Sequence, residues 1–79
     1  MPLISITTWP TPDDKKREMM EAITQVVHTI GGAPLDKITV YIQEIERHNW
    51  SEAGVLGSAE DFPTSSRRLT YSDPKEKQL

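Results

Sequence analysis

The spacing of apolar residues changes period twice in the first half of the chain. From Leu3 to Thr8 it is two: Ile4 and Ile6 fall on one face, Leu3, Ser5 and Thr7 on the other. With β-branched residues dominant, this predicts a strand. Trp9-Pro10-Thr11-Pro12 interrupts it. Thr11 then suits a helix N-cap, with Pro12 at the first helical position and Asp14 three residues after the cap. Asp13 and Asp14 suit the positive end of the helix dipole. Met19, Ile23, Val26, Val27 and Ile30 recur at helical spacing and form one apolar face, which predicts a helix over residues 12–30. Gly31-Gly32 ends it and Pro34 prevents its continuation. Ile38 to Ile45 returns to alternation, with Ile38, Val40 and Ile42 set against Thr39, Tyr41 and Gln43, and predicts a second strand.

Strand, long helix and strand in this order make one βαβ unit, so the fold class is α/β with parallel strands and a right-handed crossover. Two strands and one helix do not stand alone in water. Their open edges and uncovered sheet face require partners, so the pattern predicts an oligomer. Apolar residues thin out after residue 57: residues 58–79 hold only Ala59, Phe62, Leu69, Tyr71 and Leu79 among Ser, Pro and charge. Residues 1–57 therefore read as the packed domain, and residues 58–79 as a polar arm that is partly mobile or wraps a neighbouring subunit. Asp73-Pro74-Lys75-Glu76-Lys77-Gln78 has the composition of a frayed terminus.

A chain of 79 residues supports one small domain, which buries only about 60% of its unfolded surface. It contains no cysteine, so disulfide frameworks, thiolate metal sites and a cysteine nucleophile are excluded. The net charge of −3 argues against a nucleic-acid partner. Apolar runs are too short to span a bilayer, and the N-terminus has neither a basic n-region nor an apolar h-region. The expectation is a soluble cytoplasmic protein. His28 and His48 match no zinc spacing, so no metal site is expected.

Pro2 carries the most chemistry. Methionine aminopeptidases remove an initiator methionine when a small residue such as proline follows. The product is a free secondary amine at residue 2. An ordinary α-amino group titrates at about 7.7–8.0. Burial or nearby positive charge lowers that value, because both disfavour the cation. Such an amine is a neutral base at physiological pH, and it can also add to a carbonyl. Its ring fixes where the lone pair points, and the strand behind it gives rigid support.

Five segments, taken in order, resemble the short-chain 4-oxalocrotonate tautomerase family of the tautomerase superfamily. They are Pro2-Leu3-Ile4-Ser5-Ile6; Asp13-Asp14-Lys15-Lys16; Gly32-Ala33-Pro34-Leu35-Asp36-Lys37-Ile38-Thr39-Val40; Ile42-Gln43-Glu44; and Asn49-Trp50-Ser51-Glu52-Ala53-Gly54. The resemblance implies a βαβ subunit with a short C-terminal hairpin, built into a homo-oligomer, with a hexamer favoured over a trimer. It also implies catalysis by the amino-terminal proline without cofactor or metal. Trp50 corresponds to an aromatic that walls the pocket and excludes water. The family's two substrate-binding arginines fall at Thr11 or Pro12 and at Thr39, neither of which is an arginine here. A threonine cannot replace a bidentate guanidinium. The cations left to hold a carboxylate are Lys37, Arg47, Arg67 and Arg68, and the last two can reach a neighbour's pocket. The hairpin segment also resembles that of the trans-3-chloroacrylate dehalogenase α-subunit, in which Glu52 corresponds to a water-activating glutamate.

The expected function is tautomerisation of an unsaturated 2-hydroxy or 2-oxo acid with Pro2 as general base. Trp50, Thr39, Arg47, Arg67 and Arg68 are the candidate substrate contacts. The alternatives are hydration or dehalogenation through Pro2 and Glu52, or a non-catalytic oligomeric relative.

Overall fold

The computed structural model describes residues 1–72. The chain forms two compact units, Met1–Glu44 and a second from Ile45 onward. The first holds strand β1 (Leu3–Thr8), helix α1 (Asp13–Gly31), a single 3-10 turn (Leu35–Lys37) and strand β2 (Thr39–Glu44). The strands pair in parallel, with Leu3 opposite Thr39, Ile4 opposite Val40, Ile6 opposite Ile42 and Thr8 opposite Glu44. Ile4, Ile6, Val40 and Ile42 are half-buried on one face, whereas Leu3, Ser5, Thr39, Tyr41 and Gln43 lie exposed on the other. Helix α1 packs against β2. This is the expected βαβ unit.

Two local readings of the helix need correction. Its first residue is Asp13 rather than Pro12, and Thr11 does not cap it: the Thr11 hydroxyl donates to the Trp9 carbonyl at 2.8 Å, and Pro12 takes the cap position without a side-chain bond. The Pro12 carbonyl instead accepts the amides of Lys15 and Lys16 at 3.1 and 3.0 Å. The packed face also differs. Lys16, Met19, Met20, Ile23, Thr24 and Val27 are half-buried, while Val26 and Ile30 are 55% and 82% exposed. A two-stranded sheet covers only a narrow stripe of the helix. Met20 and Thr24 fall within it, and Val26 and Ile30 fall on the flank. The far end of α1 follows the sequence: Gly32 is left-handed at φ 76°, and its amide donates to the His28 carbonyl at 3.0 Å.

The second unit holds a 3-10 turn (Arg47–Asn49), an antiparallel hairpin of β3 (Ser51–Glu52) and β4 (Val55–Leu56), and a short helix α2 (Phe62–Ser65). Residues 58–72, read as polar arm, thus include a helical turn whose Ser65 and Ser66 are buried. The Ser65 hydroxyl donates to the Asp61 carboxylate at 2.7 Å. The segment from Asp73 to Gln78, read as a frayed terminus, lies outside the described residues. Among the described residues no apolar side chain is fully buried, and no helix is long and apolar enough to cross a membrane.

Candidate functional site

Pro2 sits immediately before β1 and is half-buried. Its carbonyl accepts the Thr39 amide at 3.1 Å, which is the first rung of the parallel ladder. The residue is thus pinned from its carbonyl side, and its ring fixes φ. Met1 lies outside the strand at 93% exposure. Thr39 is brought to Pro2 through this backbone bond, and its side chain is on the exposed face of the sheet. A hydroxyl there can donate or accept a hydrogen bond but supplies no charge.

The opposite end of the same sheet carries a cluster that sequence reasoning missed. Glu44 closes β2 opposite Thr8. Its Oε2 accepts the Thr11 amide at 2.8 Å, and its Oε1 pairs with Lys16 Nζ at 3.3 Å. Lys16 also reaches Asp13 Oδ1 at 3.1 Å. The Thr11 amide, with help from Lys16, holds the Glu44 carboxyl below its ordinary range. Asp13 first and Glu44 second raise the Lys16 ammonium above its own. These groups tie the Trp9–Pro12 connection to the end of β2. The signal was the parallel topology itself, which puts the C-terminal ends of both strands at one end of the sheet; the register was needed to see which glutamate stands there.

In the second unit the structure brings Trp50, Glu52 and Arg67 together. Trp50 is half-buried, and its indole N–H donates to Glu52 Oε2 at 3.1 Å. Glu52 Oε1 forms an ion pair with Arg67 Nη2. Arg67 Nε donates to Ser66 Oγ at 3.1 Å, and Arg67 Nη1 makes no hydrogen bond among the described residues. The Trp50 indole first, and Arg67 second, hold the Glu52 carboxyl below its ordinary range. A carboxylate held in its ionised form this way is a poorer base than a free one. It is well suited to orient a guanidinium and an indole.

Arg68 is engaged elsewhere. Its Nε and Nη2 donate to the Ala53 carbonyl at 3.0 and 2.7 Å, and its guanidinium stacks 4.7 Å from the centre of the Tyr71 ring. Arg47 opens the turn before Trp50, with an exposed side chain and a carbonyl that accepts the Trp50 amide at 3.2 Å. Lys37 is exposed just before β2. Among the described residues no group of three or more His, Asp and Glu is placed to hold a metal ion. The first unit thus presents a proline anchored at the start of its sheet, and the second a guanidinium oriented by Glu52 and Ser66.

Comparison with known proteins places this geometry in context. The sequence profile of the family described as "Tautomerase enzyme" matches residues 2–59. The 2-hydroxymuconate tautomerase of Pseudomonas putida is 37% identical over 41 residues, covering 52% of this chain and 65% of that enzyme. The chain therefore spans just under two thirds of that relative's length. The 2-hydroxymuconate tautomerase of Bacillus subtilis (strain 168) is 36% identical over 42 residues, covering 53% of this chain and 68% of that enzyme. The crystal structure of a 4-oxalocrotonate tautomerase homologue superimposes with a TM-score of 0.72 at 30% identity, covering 76% of this chain and 97% of that one. The profile match ends at residue 59, so Arg67 and Arg68 lie beyond it.

Proposed function

This chain belongs to the tautomerase family, and from that premise we propose that it interconverts the enol and keto forms of an unsaturated 2-hydroxy or 2-oxo acid, with Pro2 as general base once Met1 is removed. The anchoring of Pro2 is the observation that supports this reading best. Its carbonyl, not its nitrogen, makes the first sheet hydrogen bond. Loss of Met1 therefore takes nothing from the ladder and leaves a secondary amine on a fixed ring. The neutral amine takes the proton of the enol hydroxyl, electron density moves along the conjugated chain, and the same proton returns to carbon. No atom is gained or lost, and the amine ends as it began.

Arg67 is the candidate for the substrate carboxylate. Glu52 and Ser66 fix two of its nitrogens, which leaves Nη1 for an acid. Trp50 corresponds to the family's pocket aromatic and is the candidate for excluding water, and a dry surrounding favours the neutral form of an amine. Glu52 serves orientation in this reading rather than water activation, since the indole and the guanidinium each hold one of its oxygens and lower its basicity. In this reading residues 1–57 are the tautomerase-like portion, and the described residues beyond them supply Arg67 and Arg68.

The same reading makes the protein a homo-oligomer, with a hexamer favoured over a trimer. The lack of any fully buried apolar side chain among the described residues supports this. So do the exposed apolar flank of α1 at Val26 and Ile30 and the two outer edges of the β1–β2 sheet, which pair with no further strand among the described residues.

Intact-mass measurement joined to an assay tests the proposal. Protein from the native host is expected to lack Met1 and to ketonise phenylenolpyruvate or 2-hydroxymuconate. Pro2→Ala is expected to lose about 100-fold or more of that rate, the scale of a general base. A retained Met1, or a Pro2→Ala variant as fast as wild type, overturns it.

A further inference from the structure

The tip of the β3–β4 hairpin is built against its own backbone preference. Ala53 and Gly54 are both left-handed, at φ 53° and 78°. A two-residue turn with both residues in that region is of type I′, which favours asparagine, aspartate or glycine at its first position. Alanine lacks the side-chain oxygen that makes this conformation easy for asparagine. The strands on either side are two residues long, too short to impose the turn.

What opposes the preference is Arg68. Its Nε and Nη2 converge on the Ala53 carbonyl at 3.0 and 2.7 Å. Its other side rests on Tyr71, 4.7 Å from the ring centre. The fit is close: a Cβ at Gly54 would lie 3.2 Å from Arg68 Nη2 and 3.8 Å from the Tyr71 hydroxyl. The neighbouring Arg67 meanwhile pairs with Glu52, the residue before Ala53. Two consecutive arginines thus grip two consecutive hairpin residues, and both come from sequence beyond the family match at residues 2–59.

We propose that Arg68 is a positioning residue of the active site, holding Ala53 in its left-handed turn and thereby fixing the Glu52 carboxylate and the Trp50 indole bonded to it. Its catalytic consequence rests on the reading of Trp50 and Arg67 as pocket residues. The hairpin of this chain is set by an extension rather than by its own turn sequence. A planar fork is needed for the grip, because a lysine ammonium cannot place two donors on one carbonyl while stacking on a ring.

The test uses full-length protein and four variants: Arg68→Ala, Arg68→Lys, Ala53→Asn and the double variant Arg68→Ala/Ala53→Asn. The first readout is the Trp50 indole N–H resonance, assigned with Trp9→Phe, and its exchange with solvent. The second is kcat and KM on phenylenolpyruvate. Arg68→Ala is expected to move the indole resonance, speed its exchange, and lower kcat/KM by up to about 100-fold, as misplacement from outside the reacting centre does. Arg68→Lys moves in the same direction. Ala53→Asn stays close to wild type, and in the double variant asparagine restores the indole signal and most of the activity. An unchanged indole signal in Arg68→Ala, or a double variant no better than the single one, overturns the proposal. If Arg68→Ala does not fold, Arg68→Lys decides by the same criteria. A wild type without turnover would defeat the catalytic reading alone, and the indole readout would still decide the role of Arg68.

Discussion

Gly32 and Gly54 hold nearly the same left-handed backbone, φ 76° and 78°, in different surroundings. Alanine at each separates the backbone cost from the cost of disturbing Arg68. At Gly32 an added Cβ meets nothing within 4 Å; at Gly54 it lies 3.2 Å from Arg68 Nη2. A left-handed alanine costs about 1–2 kcal/mol, and the reduced freedom of the unfolded chain returns about 0.4–1 kcal/mol. Gly32→Ala should therefore cost about 1 kcal/mol net. At Gly54 the same backbone cost applies, but the guanidinium must also give way. It is held between the Ala53 carbonyl and the Tyr71 ring, so it cannot move without lengthening its two hydrogen bonds. That adds about 1 kcal/mol. At roughly 4–8 °C per kcal/mol for a domain of this size, Gly54→Ala should melt about 4–8 °C below Gly32→Ala. Thermal unfolding followed by circular dichroism measures this, at one fixed subunit concentration because association shifts Tm. In an Arg68→Ala background the gap should close. Equal melting of the two glycine variants, or a gap that survives removal of Arg68, would refute the reasoning.

Three further outcomes are expected. Glu44 and Glu52 have carboxyls held below their ordinary range, so the stability they contribute is complete above that range and is lost as pH falls from it through their lowered folded values. Lys16, raised above its ordinary value, has the opposite sign and loses its contribution only on the alkaline side, so Glu44→Gln should flatten the acid limb of a Tm–pH curve and leave the neutral-to-alkaline limb nearly in place; parallel acid limbs would count against the Thr11–Glu44 tie. Sedimentation velocity should show an assembly that falls apart on dilution with loss of helicity, and Ile30→Glu, at a helix position 82% exposed in the single chain, should favour smaller species; a folded monomer at every concentration would argue otherwise. Arg67→Ala should raise KM for an acid substrate by roughly 10–100-fold, the worth of a charged hydrogen bond, with a smaller change in kcat; an unchanged KM would remove Arg67 from the binding site.

Much of the βαβ unit was legible because its signals are local. The alternation of Ile4 and Ile6, and of Val40 and Ile42, names the covered face of each strand whatever lies on top. The helical repeat located α1 to within a residue at its start, but not its packed face. Both stripes through Met19, Ile23 and Val27 are apolar enough to pack, and the choice between Met20 with Thr24 and Val26 with Ile30 depends on where a two-stranded sheet lies. Thr11 misled for a related reason. A threonine before a helix is a sound cap, but its amide was taken by Glu44, 33 residues away, and its hydroxyl turned back to Trp9.

The candidate site divides the same way. By itself the sequence determined the proline at position 2, the strand behind it, the aromatic at Trp50 and the supply of arginines, because residue identity and short-range period carry that information. Tertiary structure alone decided what those arginines hold. Arg67 and Arg68 are adjacent in the chain, yet one meets the carboxylate of Glu52 and the other the carbonyl of Ala53, each 15 residues away. Those partners follow from the path of the backbone through a left-handed turn and a helical turn of α2. Long-range pairing of flexible charged side chains has no period to read, and it exists only once the chain between them has folded.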